Sequence, residues 1–334
     1  MNKIDLGVSY AGLSLRNPII ISSSGLTETV DKVKILEKSG AGAVVLKSLF
    51  EEQIMMTVHE EQTKMDSDYP EAFDFLRTFI TTDHVGKYLQ LIKDCKAECT
   101  IPVIASINCY TMRNWTEFAL QIQEAGADAL EVNIMLVDTD KAFTHGSTEL
   151  LHIQILAELK KILKIPVIMK LSRQFTNLVG LANQIQHNDG NAIVLFNRPY
   201  TPDINIKNMS FMPAPLFTEA SFFHETLRWT GIISGIVPQI DIAASGGIHN
   251  GDNLIKILLA GAKTAEICSV IYKEGPDVIP HMLTQLTEWM NANNFDRIDQ
   301  FRGKLNFANF EDENYYERTQ FMKYFSNKDT YPPM

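Results

Sequence analysis

Two lysines close short apolar runs in this chain: Lys47 follows Ala43–Leu46, and Lys170 follows Pro166–Met169. Either one alone reads as a strand-end lysine that buries its stem and keeps its ammonium in water. Two of them at one mouth suit an electron-rich ligand, such as a reduced isoalloxazine, whose negative charge near N1 a lysine stabilises. Three asparagines end other runs: Asn108 after Pro102–Ile107, Asn133 after Ala129–Val132, and Asn197 after Ala192–Phe196. A single strand-end Asn is usually a turn former, whereas three in register offer amides to ring carbonyls and ring nitrogens. Further along, Ile240–Ala244 runs into Ser245-Gly246-Gly247, and Thr264–Ile267 runs into Cys268-Ser269. Paired glycines let backbone N–H groups approach phosphate oxygens, and a helix amino end adds positive potential. An ordinary tight turn explains Gly-Gly alone; the second polar end at Cys268-Ser269 favours a phosphate site. The first run, Pro18–Ile21, leads into Ser22–Gly25.

Eight such runs alternate with stretches of helical character, a pattern that predicts a (β/α)8 barrel with its active site at the carboxyl ends of the strands. Helices are expected over Val30–Ser39, Asp83–Ala97, Trp115–Ala125, Thr148–Leu163, Leu178–His187, Asp252–Ala260 and Asp277–Ala292. One helix–turn–strand joint recurs at Ser39–Ala43, Glu124–Asp128 and Leu259–Lys263, each centred on Ala-Gly or Ser-Gly. Residues 3–15 alternate like a hairpin, placed as a lid on the barrel floor. Two connections, 49–82 and 198–230, are too long for turns and read as functional loops on the active face. The absence of a Pro-, Gly- or Ser-rich linker predicts one domain over 1–334, with its core at about 17–292. The aromatic, charged arm over 294–334 reads either as a packing arm or as an oligomer contact.

The chain has 334 residues, 45% hydrophobic and 21% charged, ordinary for a globular protein able to bury a large core. Its net charge of −10 argues against a general nucleic-acid or anionic-membrane binder. No apolar stretch approaches the roughly 20 residues needed to cross a bilayer, and Met1–Asp5 is not a signal peptide. Four cysteines form no disulfide pattern, and Cys95 and Cys99 lack neighbours to complete a metal site. A reducing cytoplasm is the expectation.

The ordered blocks Asn17–Gly25, Gly40–Ser48, Ser106–Asn108, Glu131–Asn133, Ile168–Leu171, Gly231–Gly235, Ser245–Ile248 and Cys268-Ser269 resemble those of the dihydroorotate dehydrogenases, most closely the soluble class. The resemblance covers about residues 4–290. It implies an FMN-binding barrel that transfers hydride to flavin N5 at a C–C bond. It also implies flavin contacts from Ser24, Gly25, Lys47, Ser48, Asn108, Asn133, Lys170 and Asn197, with Ser245, Gly246, Gly247, Cys268 and Ser269 in two phosphate loops. Gly231–Gly235 is similar to the family's turn before strand seven.

Two departures from the family stand out. Its proton-accepting Cys or Ser, on the loop after strand four, aligns with Leu136, which takes no proton, and a substrate-binding Asn aligns with Asp138. The segment after strand two carries Glu51-Glu52-Gln53, His59-Glu60-Glu61 and Asp66-Ser67-Asp68 where the family has a substrate clamp. The family's Asn-Thr pair reads Asn197-Arg198, and Arg198 is suited to an anion or to a solvated surface. Asp138, His145, Ser172, His224 and Cys109 remain as bases, with His145 first because it lies on the base-bearing loop. The expectation is a cytoplasmic, FMN-dependent dihydroorotate dehydrogenase-like enzyme, with a small-molecule substrate, a soluble electron acceptor, no metal, no membrane or nucleic-acid partner, and a homodimeric assembly. A flavin oxidoreductase acting on another small cyclic or unsaturated molecule, and a catalytically silent FMN-binding protein, are the rivals.

Overall fold

Short runs that are apolar on both faces need a cover on each side, and a closed parallel sheet ringed by helices supplies both. The computed structural model describes residues 4–64, 70–108, 112–134, 146–198, 201–309 and 316. A hairpin of β1 (Val8–Tyr10) and β2 (Leu13–Leu15) comes first, then β3 (Ile19–Ile21), α1 (Val30–Lys38) and β4 (Ala43–Val45). A two-residue strand β5 (Leu49–Phe50) leads into α2 (Glu51–Lys64) and α3 (Pro70–Glu98). The regular alternation resumes with β6 (Val103–Asn108), α4 (Met112–Glu124), β7 (Ala129–Asn133), α5 (Ser147–Ile162), β8 (Val167–Leu171), α6 (Leu178–His187) and β9 (Ala192–Leu195). A second hairpin, β10 (Pro202–Asn205) with β11 (Ser210–Pro213), precedes α7 (Phe223–Ile236). The last elements are β12 (Asp241–Ser245), α8 (Gly251–Ala260), β13 (Thr264–Ile267), α9 (Ser269–Glu274) and α10 (Val278–Ala292).

Strands β3, β4, β6, β7, β8, β9, β12 and β13 pair in parallel in that order, and β13 returns to β3, closing a (β/α)8 barrel. Every residue of β4, β7, β8 and β9 is buried. Side-chain caps fix where several helices start: Thr29 on Lys32 N, Asn177 on Gly180 N, and Asn250 on Asn253 N. The repeated joint is one device used three times. Gly40, Gly126 and Gly261 take φ of +105°, +97° and +115°, the left-handed turn that ends a helix and that a side chain would resist. The N-terminal hairpin lies against the barrel: Tyr10 is fully buried, and Ala11 N donates to Asp241 Oδ2 at 2.8 Å.

Two segments differ from the sequence reading. Most of 49–82 is helical, in α2 and the start of α3, instead of an open loop. The reason is visible on the helices: Ile54, Val58, Ile80, Val85, Tyr88 and Ile92 are buried against the barrel. Gly231 and Gly235 lie inside α7, not in a turn; side chains there would collide with Tyr316 and with Phe307–Ala308. Their smallness thus seats the C-terminal arm. The described part of that arm packs on the barrel wall, with Phe301 fully buried among Trp289 and Phe295 and Arg228 Nε donating to Tyr316 O at 2.7 Å. Among the described residues, no helix is long and apolar enough to cross a membrane.

Candidate active site

The carboxyl ends of the barrel strands surround a cavity of about 450 Å³. At and beneath its floor, three ionisable side chains sit inside apolar strands. Lys170, the fourth residue of β8, donates to Glu266 Oε2 of β13 at 2.8 Å and to Glu131 Oε1 of β7 at 3.1 Å. It also donates to Ser22 Oγ at 3.1 Å, and Ser22 donates in turn to Glu266 Oε2 at 3.0 Å. All three charged groups are almost fully buried. Charges so placed must be paired, because isolated burial is too costly.

One lysine cannot neutralise two carboxylates, so the pair retains a proton. Burial, and then the adjacent Glu266, push Glu131 up to about 8. Burial also opposes charge on Glu266, but the Lys170 charge and hydrogen bonds from Glu131, Lys170 and Ser22 together hold that carboxyl below its ordinary value. The hydrogen bonds explain the asymmetry. Glu266 Oε2 accepts two of them, whereas Glu131 accepts one, on Oε1, and is the acid that keeps the proton. Burial works against the Lys170 ammonium as well, yet Glu131 and Glu266 raise its pKa above that of a free lysine. At neutral pH the floor is therefore Lys170⁺, Glu266⁻ and a protonated Glu131.

Beside this floor lies a serine chain. Ser23 Oγ and Ser48 Oγ are 3.0 Å apart, Ser48 Oγ and Ser106 Oγ 2.7 Å apart, and Ser48 N donates to Ser23 Oγ. On another wall Asn197 Nδ2 donates to Asn133 Oδ1 at 2.7 Å, so the ends of β7 and β9 present a linked amide pair. The end of β12 turns through Gly246 and Gly247 at φ +107° and +74°, with Thr226 Oγ1 donating to Ser245 O at 3.2 Å. A side chain at Gly247 would lie 2.4 Å from Phe223 N, so only glycine lets this loop pass the start of α7. Ser269 Oγ accepts from Thr218 N at 3.0 Å, tying the segment before α7 across the ends of β12 and β13.

The cavity thus unites Ser48, Asn133, Lys170, Asn197, Ser245, Gly246, Gly247, Cys268 and Ser269. Four other expected contacts stand outside its lining. Lys47 is half exposed and pairs with Glu28 at 3.1 Å; hydrogen bonds from Lys32 and Lys47 hold the Glu28 carboxyl below its usual range. Ser24 caps the turn Gly25–Thr27, and Gly25 faces the Tyr272 hydroxyl. Asn108 ends β6 opposite Phe50, and it is Phe50 that lines the cavity. Of the candidate bases, Ser172 lines the cavity, whereas His224 faces a separate groove with Trp229. Leu136, Asp138, His145 and Cys109 lie outside the described residues.

The structure adds Glu131, Glu266, Arg173 and His249, which the sequence reading left without a role, and brings Arg198 to the cavity. Glu131 and Glu266 carried a usable signal: an acid within a buried apolar run demands a cation in another run, and Lys170 is one. Arg173 and Arg198 line the cavity together. Arg198 donates to Leu216 O, Pro215 O and Thr218 Oγ1, so it pins the segment that roofs the site. His249 also lines the cavity, and burial followed by Lys273 depresses its pKa and favours the neutral ring.

Comparison with known proteins agrees with this geometry. The sequence model of the family described as dihydroorotate dehydrogenase matches residues 5–214. The chain is 27% identical to the catalytic subunit of dihydroorotate dehydrogenase B (NAD(+)) from Thermoplasma volcanium, over 90% of this chain and 98% of that protein. The proteins of the same name from Methanocaldococcus jannaschii and Anoxybacillus flavithermus are each 24% identical. Those two matches cover 88% and 90% of this chain and 96% and 95% of the relatives.

Proposed function

The chain belongs to the dihydroorotate dehydrogenase family, and on that premise we propose that it is an FMN-dependent oxidoreductase acting on a CH–CH bond, with dihydroorotate as its substrate. The observation that carries the reading is the cavity itself. At about 450 Å³ it has the size of a cofactor site, and three cationic side chains, Lys170, Arg173 and Arg198, line it against one carboxylate, Glu266. That excess of positive charge, in a chain of net charge −10, fits a dianionic phosphate. The side-chain-free turn at Gly246-Gly247 fits the close approach that phosphate binding needs.

When bound, FMN supplies the acceptor for a hydride. Gly246, Gly247 and Ser269 would hold its phosphate, and Asn133 and Asn197 would offer amides to the ring. Lys170 would place a fixed positive charge where negative charge collects. The proton on Glu131 matters to that role: with both carboxyls ionised, the floor would carry net negative charge and oppose flavin reduction. For the substrate proton we assign His145 on the loop after β7, with Ser172 in the cavity as the alternative. The relatives' names, catalytic subunits of an NAD(+)-linked enzyme, support a soluble acceptor reached through another subunit. Buried free thiols at Cys95 and Cys99 support a reducing cytoplasm, and the exposed apolar hairpin β10–β11 supports a homodimer.

A second reading, a different unsaturated substrate, is favoured by Arg198 in the cavity and by Leu136 at the usual base position. Anaerobic mixing with dihydroorotate decides between them. Rapid bleaching of the flavin absorbance, lost in either His145→Ala or Ser172→Ala, is the expected result and identifies the base. A flavin that stays oxidised with dihydroorotate but bleaches with another reductant favours the second substrate. Colourless protein that cannot be reconstituted with FMN sinks the reading altogether.

A further inference from the structure

Arg173 follows Lys170 by three residues and sits just beyond the end of β8. Its guanidinium is held in place from several sides. It lies 4.5 Å from the Phe222 ring centroid and 5.5 Å from that of Phe196, and its Nη1 pairs with Glu225 Oε2 at 2.9 Å. Stacking on two rings fixes the plane of the fork and limits the entropy lost when it binds. One remaining donor, Nη2, faces the cavity turn. Nη2 lies 3.5 Å from the point where a Gly246 side chain would begin, and Nε is buried with no hydrogen-bond partner. A buried guanidinium donor left unmatched costs free energy unless a ligand meets it.

The only carboxylate recorded as pairing with Arg173 among the described residues, Glu225, is half exposed, and the neighbouring Arg198 adds a second positive charge. An anion at Gly246 therefore completes the site better than a neutral group does. Resting on the FMN reading above, we propose that Arg173 binds the flavin phosphate directly, through Nη2, and makes the site selective for the phosphorylated flavin over riboflavin. The glycine turn would supply backbone donors to one side of the phosphate and Arg173 a charged donor, held in place by two rings and Glu225, to another. Lysine, a point charge on a flexible stem, does not reproduce it.

The test titrates the full-length chain, stripped of flavin by dialysis in high salt, with FMN and with riboflavin, following flavin fluorescence. Arg173→Gln is expected to raise the Kd for FMN about 10- to 100-fold and to leave that for riboflavin within about twofold. Arg173→Lys is expected to fall between the two. Glu225→Gln frees Nη1 from its competitor and is expected to tighten FMN but not riboflavin; it also keeps the proposal testable should the Arg173 variants fold poorly. Equal changes for the two flavins, or no change for either, would overturn the role of Arg173 while leaving FMN binding intact. Wild-type protein that binds neither flavin would instead overturn the FMN reading on which this rests.

Discussion

Lys170, Glu131 and Glu266 form a buried cluster whose charge balance depends on one proton. Removing the lysine leaves two carboxyls in the barrel without a cation. Lys170→Met should therefore lower stability by about 3–5 kcal/mol, read from urea unfolding, and a loss under about 1 kcal/mol would contradict the pairing. The two acids titrate in separate windows. Glu131 has a pKa raised from 4.5 to about 8, so its contribution to stability is complete below pH 4.5 and is lost as the pH rises towards 8. Glu266 is depressed by Lys170, so its contribution is present above the ordinary carboxylate value and fades only in more acidic solution. Glu131→Gln mimics the protonated acid, and the Tm of wild type should fall relative to this variant between pH 5 and pH 8. Parallel Tm curves would show that Glu131 is not the proton holder. The lysine was legible in the sequence as a charge closing an apolar run. Its partners were legible only by asking what an acid inside such a run requires. Arg173 was not, because it lies past the strand end, where nothing in the sequence says which wall a side chain will face.

At the scale of elements, the eight strands and most helices were readable because burial on both faces and repeated Ala-Gly joints leave a local signature. Segments stabilised by distant contacts left none. Helix α2 and the first part of α3 read as an acidic loop, since their charged faces dominate the composition while their buried residues find partners only on the assembled barrel. Gly231–Gly235 read as a turn by resemblance to the family; their helical role exists only once Tyr316 and Phe307 pack against α7. The same distinction separates the two glycines of the turn after β12. Both hold positive φ, which alone costs an alanine about 1–2 kcal/mol. A Gly246 side chain would meet its nearest neighbours at 3.5 Å, ordinary contact, whereas one at Gly247 would press on the backbone of Phe223 at 2.4 Å. Gly246→Ala should thus cost only the backbone term, and Gly247→Ala roughly 1–3 kcal/mol more as α7 is displaced. Denaturant unfolding of the two variants checks the order, and equal losses would contradict the close approach of the turn to α7.

For the whole molecule, the barrel accounts for its own burial, but β10–β11 does not. Among the described residues its two strands pair only with each other, and a two-stranded hairpin in water is marginally stable by itself. Its apolar side chains nevertheless face solvent: Ile204 is 61% exposed, Ile206 86%, Met209 89% and Phe211 81%. An apolar patch of this kind marks an interaction surface, and two open strand edges invite pairing with another strand. A second copy of the same hairpin satisfies both demands through a twofold axis, since one self-complementary patch then serves both chains. Light scattering should accordingly give twice the chain mass. Because these side chains contribute nothing to the barrel core, Ile206→Lys combined with Phe211→Lys should halve that mass while leaving the Tm of the barrel within a few degrees. A wild-type protein already monomeric at micromolar concentration would remove the hairpin from any dimer. A doubly substituted chain that stayed dimeric would place the contact elsewhere on the surface.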